Sequence, residues 1–206
     1  MQVIEFEEAK KLLAEYKISF PRTVFYSAEK EVKKNAGSFK YPVFLKVYGK
    51  DILHRTEIGG VGEAKDKTEL LKMFSKMLKI KGVEGVLVQE KVDGKSLIIG
   101  MKRDPQFGPV IMVGIGGIFT EILKDFILRV APVSKEEALN MLIELKGYNY
   151  LCGKRDNQPI NFEETAKIIT AISNLALKHE EIIEIDLNPV ISNAKKSSAV
   201  DFKFII

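Results

Sequence analysis

Apolar residues recur along this chain at two spacings, and the switches between them mark out its elements. Between Glu5 and Tyr16, residues Phe6, Ala9, Leu13 and Tyr16 fall on one helical stripe. Thr23–Tyr26 and Pro42–Tyr48 read as strands, separated by a polar helical stretch from Ser27 to Ala36 that Gly37 stops. Asp66-Lys-Thr-Glu69 is a capping-box pattern, and Leu70, Met73, Phe74, Met77 and Leu78 keep the helical rhythm behind it. Three short strands follow at Gly85–Glu90, Ser96–Gly100 and Pro109–Val113, with Asp93-Gly94 as a tight-turn signal between the first two. Ser134-Lys-Glu-Glu137 opens a second capped helix through Ala138, Met141, Leu142 and Leu145, and Gly147 suits its C-terminal turn. Asn161-Phe-Glu-Glu164 opens the last long helix, which carries Ile168, Ile169, Ile172, Leu175 and Ala176. Ile182–Leu187 and Ala199–Ile205 close the chain as two strands joined by a polar loop. That order lacks the regular alternation of a doubly wound sheet. It predicts an α+β chain (mixed α/β) of two lobes, residues 1–88 and 89–206, meeting near residues 88–95.

Composition narrows the classes. The 206 residues, 46% hydrophobic and 29% charged, are ordinary for a globular protein. A net charge of +4 with no dense Lys/Arg run interleaved with aromatics argues against nucleic-acid binding and suits small anions. The single cysteine, Cys152, excludes an intrachain disulfide framework and any Cys-based zinc site. No stretch approaches a membrane span and no apolar run follows a basic start, so no membrane association is expected and the expected compartment is the cytoplasm.

Two constellations carry chemistry. Lys46 projects from an apolar strand, and the loop after it runs Asp51-Ile-Leu-His54-Arg55-Thr-Glu-Ile-Gly59-Gly60-Val61. A strand lysine, a His-Arg pair and a double glycine offer cations, backbone N–H groups and one nucleophilic nitrogen, the parts that phosphoryl transfer uses. A lone histidine is otherwise an ordinary surface residue. In Glu184-Ile-Asp186-Leu-Asn188-Pro189, period two puts Glu184, Asp186 and Asn188 on one strand face. A hairpin centred between Ala194 and Lys195 sets Asn188 opposite Asp201, with Lys203 on the same face as Asp201. Hard oxygen donors without Cys or a convergent His suit Mg²⁺, and the alternative is a solvated acidic face. Asn188 before Pro189 favours a ligand, because Asn is a poor strand residue. His179, at a helix C-terminus among glutamates, complements the dipole. Gly114-Ile-Gly116-Gly117-Ile-Phe119 lacks the third glycine of a dinucleotide fingerprint, and Gln89 stands where a phosphate-loop motif ending at Gly94-Lys95-Ser96 needs its first glycine.

These residues together resemble the β subunits of NDP-forming acyl-CoA (acetyl-CoA) synthetases, ATP-grasp proteins related to the succinyl-CoA synthetase β chain. The likeness runs through Glu8-Ala-Lys to Pro21, Lys46, His54…Gly59-Gly60-Val61, Val86-Leu-Val-Gln89 and Arg103-Asp-Pro-Gln-Phe-Gly-Pro109. It continues through Gly114-Ile-Gly-Gly-Ile-Phe…Glu121…Asp125, Arg129-Val-Ala-Pro132, Glu184-Ile-Asp-Leu-Asn-Pro189 and Ala199-Val-Asp201. It implies an ATP-grasp fold of two lobes clamping ATP or ADP. It places Lys46 and the His54-Arg55 segment on the phosphates, Gln89, Glu90 and Val92 in the hinge against the adenine, and Asn188 and Asp201 on Mg²⁺. His54 matches the histidine that relays phosphoryl between the nucleotide and a phosphohistidine on a separate, α-type CoA-binding subunit. The implied reaction is acyl-CoA + ADP + Pi ⇌ carboxylic acid + CoA + ATP. The chain departs from the family pattern at five places: Gly62 replaces a lysine, Ser96 a glutamate and Lys203 an arginine, the segment after the strand lysine reads Tyr48-Gly49-Lys50 where Ser-Pro is usual, and Arg155-Asp156 replaces Arg-Gly. They leave two other readings: a non-catalytic ATP-grasp regulatory or assembly subunit, and a stand-alone carboxylate ligase that needs no phosphohistidine.

Overall fold

The computed structural model of the chain describes residues 2–49, 52, 55, 57–117 and 124–206. Its contacts divide the chain into two compact units, Pro21–Lys91 and Met1–Phe20 with Val92–Ile206. The first twenty residues therefore do not belong with residues 21–88, as the two-lobe division at 88/89 had them. Main-chain bonds explain this. Ile4 N–H donates to Phe204 O at 2.9 Å and Gln2 N–H to Ile206 O at 2.8 Å, so the N-terminus is sewn to the last strand. Helix α1 (Phe6–Glu15) then buries Ala9 and Leu13 in the core of the larger unit.

Unit 21–91 is a four-stranded antiparallel sheet in the order β1 (Thr23–Tyr26), β4 (Gly85–Glu90), β2 (Val43–Tyr48), β3 (Val61–Ala64). Helices α2 (Glu29–Asn35) and α3 (Lys67–Met77) cover one face. Val43, Leu45 and Val47 of β2 and Val86 and Val88 of β4 meet Leu70, Phe74 and Met77 of α3 in one buried cluster. The capping signal is realised: the Asp66 carboxylate accepts from the N–H groups of Thr68 and Glu69 at 2.7 and 2.9 Å. Glu69 reaches back to the N–H of Lys65 at 2.8 Å. Strand β3 has two small residues in four and no propensity of its own, so the sequence leaves it unmarked. It forms by pairing along β2, where Lys46 stands opposite Val61.

The larger unit is a six-stranded antiparallel sheet in the order β10 (Phe202–Ile205), β8 (Glu184–Ser192), β5 (Lys95–Asp104), β6 (Gly108–Ile115), β7 (Phe126–Val130), with β9 (Ser197–Ala199) also on β8. Helices α4 (Lys135–Glu144) and α6 (Phe162–Lys178) pack on one face, and the short α5 (Tyr148–Leu151) lies between them in sequence. The core side of the sheet presents Leu97, Ile99 and Met101, then Ile111, Val113 and Ile115, then Ile185, Leu187 and Val190. The two N-caps read from sequence are again made, Ser134 to Glu137 N–H at 3.1 Å and Asn161 to Glu164 N–H at 3.0 Å.

An Asp66→Ala substitution removes an acceptor shared by two orphan helix donors. It should lower stability by about 0.5–2 kcal/mol in urea denaturation. An unchanged midpoint would show that solvent satisfies those donors equally well.

Candidate nucleotide and metal site

Lys46 is held by its strand. With Val43, Leu45 and Val47 facing the helices, period two turns Phe44, Lys46 and Tyr48 to the other face of the small sheet. The register sets Lys46 opposite Leu87 and Val61, and Phe44 opposite Gln89 and Glu63. Lys46 and Gln89 therefore share that face. Lys46 is only 8% exposed, so its ammonium is a pre-positioned charge with most of its stem packed. Gln89 is buried too, and its Nε2 donates to Thr23 Oγ1 at 2.9 Å.

Glu90 does not join them. One residue on, it lies on the opposite face with Val86 and Val88, where its carboxylate accepts from Lys40 N–H at 3.1 Å and pairs with Arg22 at 3.5 Å. Its main-chain N–H is also taken, by Arg22 O at 3.0 Å. The Glu90 side chain thus anchors the end of β4. Val92, the other hinge position, begins the larger unit and is half-buried.

After β2 the chain folds back tightly. Arg55 O accepts from Gly60 N–H at 2.7 Å and Gly60 O from Val47 N–H at 2.8 Å. Gly59 has φ +68°, and a Cβ at Gly60 would meet Val47 Cγ2 at 2.4 Å and Arg55 O at 2.8 Å. The double glycine is thus required by a turn and a close approach. His54 lies outside the described residues, as does Glu121.

In the larger unit the closing hairpin takes the register read from its sequence. Leu187 stands opposite Phe202, Asp186 opposite Lys203, and Val190 opposite Ala199. Between these pairs Asn188 N–H donates to Asp201 O at 3.1 Å, which sets the two side by side. Asp186, Asn188, Asp201 and Lys203 thereby lie on one sheet face, turned away from the core residues Ile185 and Leu187; a bulge after Leu187, which faces Ile99 while Val190 faces Leu97, brings Val190 to the core side as well. Burial pushes the Asp186 carboxyl above its ordinary range, the neighbouring carboxylates Glu184 and Asp201 push it further, and Lys203 opposes them in part.

Among the described residues no three His, Cys, Asp or Glu side chains are arranged to hold a metal ion on their own. The donor set here is two carboxylates and one amide, which suits a hard cation that completes its shell with water and phosphate oxygens. The mutual repulsion that raises Asp186 is what such a cation would relieve. Asp186 was on the same face in the sequence reading, but only Asn188 and Asp201 were assigned to the metal; burial, invisible in sequence, singles it out.

Other signature residues prove to be scaffold. Asp125 is buried and accepts from the N–H groups of Lys146 and Gly147 at 2.9 and 2.8 Å. Arg129 forks to Glu137 and Glu144 of α4, both at 2.5 Å, and the two carboxylates raise its already high pKa. Arg103 donates to the carbonyls of Ala176, His179 and Ile182, closing the C-terminal end of α6.

Comparison with known proteins identifies the family. An ATP-grasp domain model matches residues 1–206. The β subunit of acetate–CoA ligase (ADP-forming) I from Pyrococcus furiosus is 39% identical over 208 residues, covering 97% of this chain and 90% of that subunit. The chain belongs to the ATP-grasp family of ADP-forming acetate–CoA ligase β subunits. Acetate–CoA ligase (ADP-forming) I from Archaeoglobus fulgidus is 42% identical over 184 residues, but the match spans only 27% of that longer chain. An acetyl-coenzyme A synthetase from Ca. Korarchaeum cryptofilum, solved with coenzyme A and Ca-AMPCP, superposes with TM-score 0.93 at 33% identity, covering 100% of this chain and 93% of that one. The ATP-grasp family thus accounts for the whole chain, while the longer ligases carry further sequence that it does not. Among the described residues no helix is long and apolar enough to cross a membrane.

Asp186 gives the acidic face a measurable signature. Its proton is held more tightly in the folded chain than in the unfolded one. Ionisation therefore costs stability as pH rises past the ordinary carboxyl value of about 4, and the cost is complete above the raised native value. Asp186→Asn should raise the unfolding midpoint at pH 7 without divalent cations, with the difference vanishing below about pH 3. An equal or lower midpoint at pH 7 would show that Lys203 outweighs burial and repulsion.

Proposed function

We propose that this chain is the nucleotide-binding subunit of an ADP-forming acid–CoA ligase, acting in the cytoplasm with a separate α-type, CoA-binding subunit. The observation that carries the reading is the hairpin register, which sets Asn188 beside Asp201 with the strained carboxylate of Asp186 on the same face. Asn188, Asp201 and Asp186 would hold Mg²⁺, which when bound offsets charge on the nucleotide phosphates. Lys46 would grip phosphate from its buried position, and Gln89 and Val92 would border the adenine. Arg55, in the turn closed by Gly59 and Gly60, would face the phosphates.

The reaction is acyl-CoA + ADP + Pi ⇌ carboxylic acid + CoA + ATP. Phosphate displaces CoA to give an acyl phosphate, a histidine of the partner takes the phosphoryl group and releases the acid, and His54 passes it to ADP. The first step exchanges the thioester C–S bond for a C–O bond, and each phosphoryl transfer then breaks one P–O or P–N bond as it forms the next, so no redox partner is needed. Neutral imidazole is a competent nucleophile near pH 7, which is what a relay requires.

The test is phosphoryl transfer from γ-labelled ATP with Mg²⁺ in the complex co-expressed with an α-type partner. Wild type should acquire acid-labile, base-stable label, and His54→Ala should abolish it in both subunits while nucleotide binding persists. Turnover retained in His54→Ala, with no acid-labile, base-stable label on either subunit, would favour a carboxylate ligase that bypasses phosphohistidine. An intact complex that neither binds Mg-ATP nor takes up label would make the chain a regulatory or assembly subunit, the reading that Gly62 and Ser96 invite.

A further inference from the structure

A buried lysine stands immediately downstream of the hinge segment and has no place in the chemistry above. Lys95 opens β5, and its side chain is 5% exposed. Its ammonium donates to the carbonyl of Tyr150 and to Asp156 Oδ1, the latter at 3.0 Å. It also lies 4.1 Å from the centroid of the Tyr150 ring. Asp156 sits in the loop between α5 and α6, and its carboxylate additionally accepts from Gln158 N–H at 3.0 Å. This carboxylate stands where the family pattern has glycine, directly after Arg155. The departure is therefore one half of an ion pair whose other half adjoins Ser96, a second departure.

The pair joins two segments far apart in the sequence. On one side is the Val92–Gly94 turn, already tied to the closing hairpin by Asn193 Nδ2 donating to Asp93 O at 2.7 Å. A Cβ at Gly94 would meet Ser192 O at 2.4 Å, so the turn lies flat against β8. On the other side is the exposed Lys154–Gln158 stretch. A cleft of about 370 Å³ separates residues 157–159 from 192–195, with Lys95 on its wall. Beside this cleft the Lys95–Asp156 bond ties the start of β5, just after the turn, to the loop. A buried ammonium holds such a partner firmly, because losing it leaves a charge without compensation.

We propose that Lys95 is a positioning residue: paired with Asp156, it clips the 153–159 loop to the start of β5 and so fixes the Val92–Gly94 turn for nucleotide binding. The proposal rests on the reading of Gln89 and Val92 as the adenine border. It gives Asp156 a task instead of marking it as decay of the site. Arg155 is carried on the clipped loop and is placed by the same bond.

Lys95→Met keeps the stem and removes the charge; Asp156→Asn removes the charge from the more exposed side and leaves the core untouched. Both are measured in the complex with the partner subunit. Each should raise the nucleotide KM about tenfold with kcat within about twofold, a uniform binding loss. The double variant should lose no more than either single one, because one bond is broken in all three. Amide exchange over residues 92–94 and 153–159 should quicken in both single variants. Faster exchange with an unchanged KM would overturn the positioning role and leave a purely structural clip. Unchanged exchange would overturn the clip itself. A wild-type complex that binds no nucleotide would overturn the functional reading, and the positioning role with it, while the exchange comparison still reports separately on the bond.

Discussion

Everything chemical in the larger unit depends on one pairing register. Along β8, Ile185, Leu187 and Val190 enter the core while Glu184, Asp186 and Asn188 face the other way. A slip of one residue against β10 would put carboxylates into the core and isoleucines outside. The core therefore enforces the register through several buried aliphatic side chains, and the register in turn sets Asn188 against Asp201. The site needs no dedicated framework of its own. It is the reverse side of a packing solution.

The same face continues across the sheet and changes character as it goes. Asp186 stands opposite Gly100, Gly100 opposite Met112, and Met112 opposite Leu128. The glycine beside the acidic cluster lies under the Met112 methyl, and the far strand β7 presents Phe126, Leu128 and Val130 at 43–49% exposure. One sheet thus offers oxygen donors at one end and apolar surface at the other. In the smaller unit, likewise, alternation sends Lys46 and Gln89 to the side that the helices do not use.

The most family-specific stretch turns out to be architectural. Asp104 accepts from the N–H groups of Gln106 and Phe107 at 2.8 and 3.0 Å, and Gly108 follows with φ +75°, so Asp-Pro-Gln-Phe-Gly-Pro is the β5–β6 turn. Arg103 next to it closes the end of α6, Asp125 ties β7 to the turn after α4, and Arg129 bolts β7 to α4. These charges recur in the resemblance because a fold with long-range strand pairings needs its edges fastened. Their side chains are engaged in these fastenings, and no reaction chemistry is assigned to them.

Local physics made much of this legible in advance. The capped helices, the alternation of β2 and β8 and the hairpin parity depend on neighbours within a few residues, and the sequence by itself determined them. The strand positions of Lys46, Asn188 and Asp201 follow from that pattern. The Glu90 side chain turns away from Gln89 because adjacent residues in a strand face opposite ways, and only the packed sheet shows which side the helices cover. Strands β3 and β7 and the union of residues 1–20 with the last strand were decided by partners far along the chain. So were the burial that strains Asp186 and the bond between Lys95 and Asp156, 61 residues apart. Propensity acts through adjacent dihedral angles, whereas burial and ion pairing depend on which distant segments the core brings together.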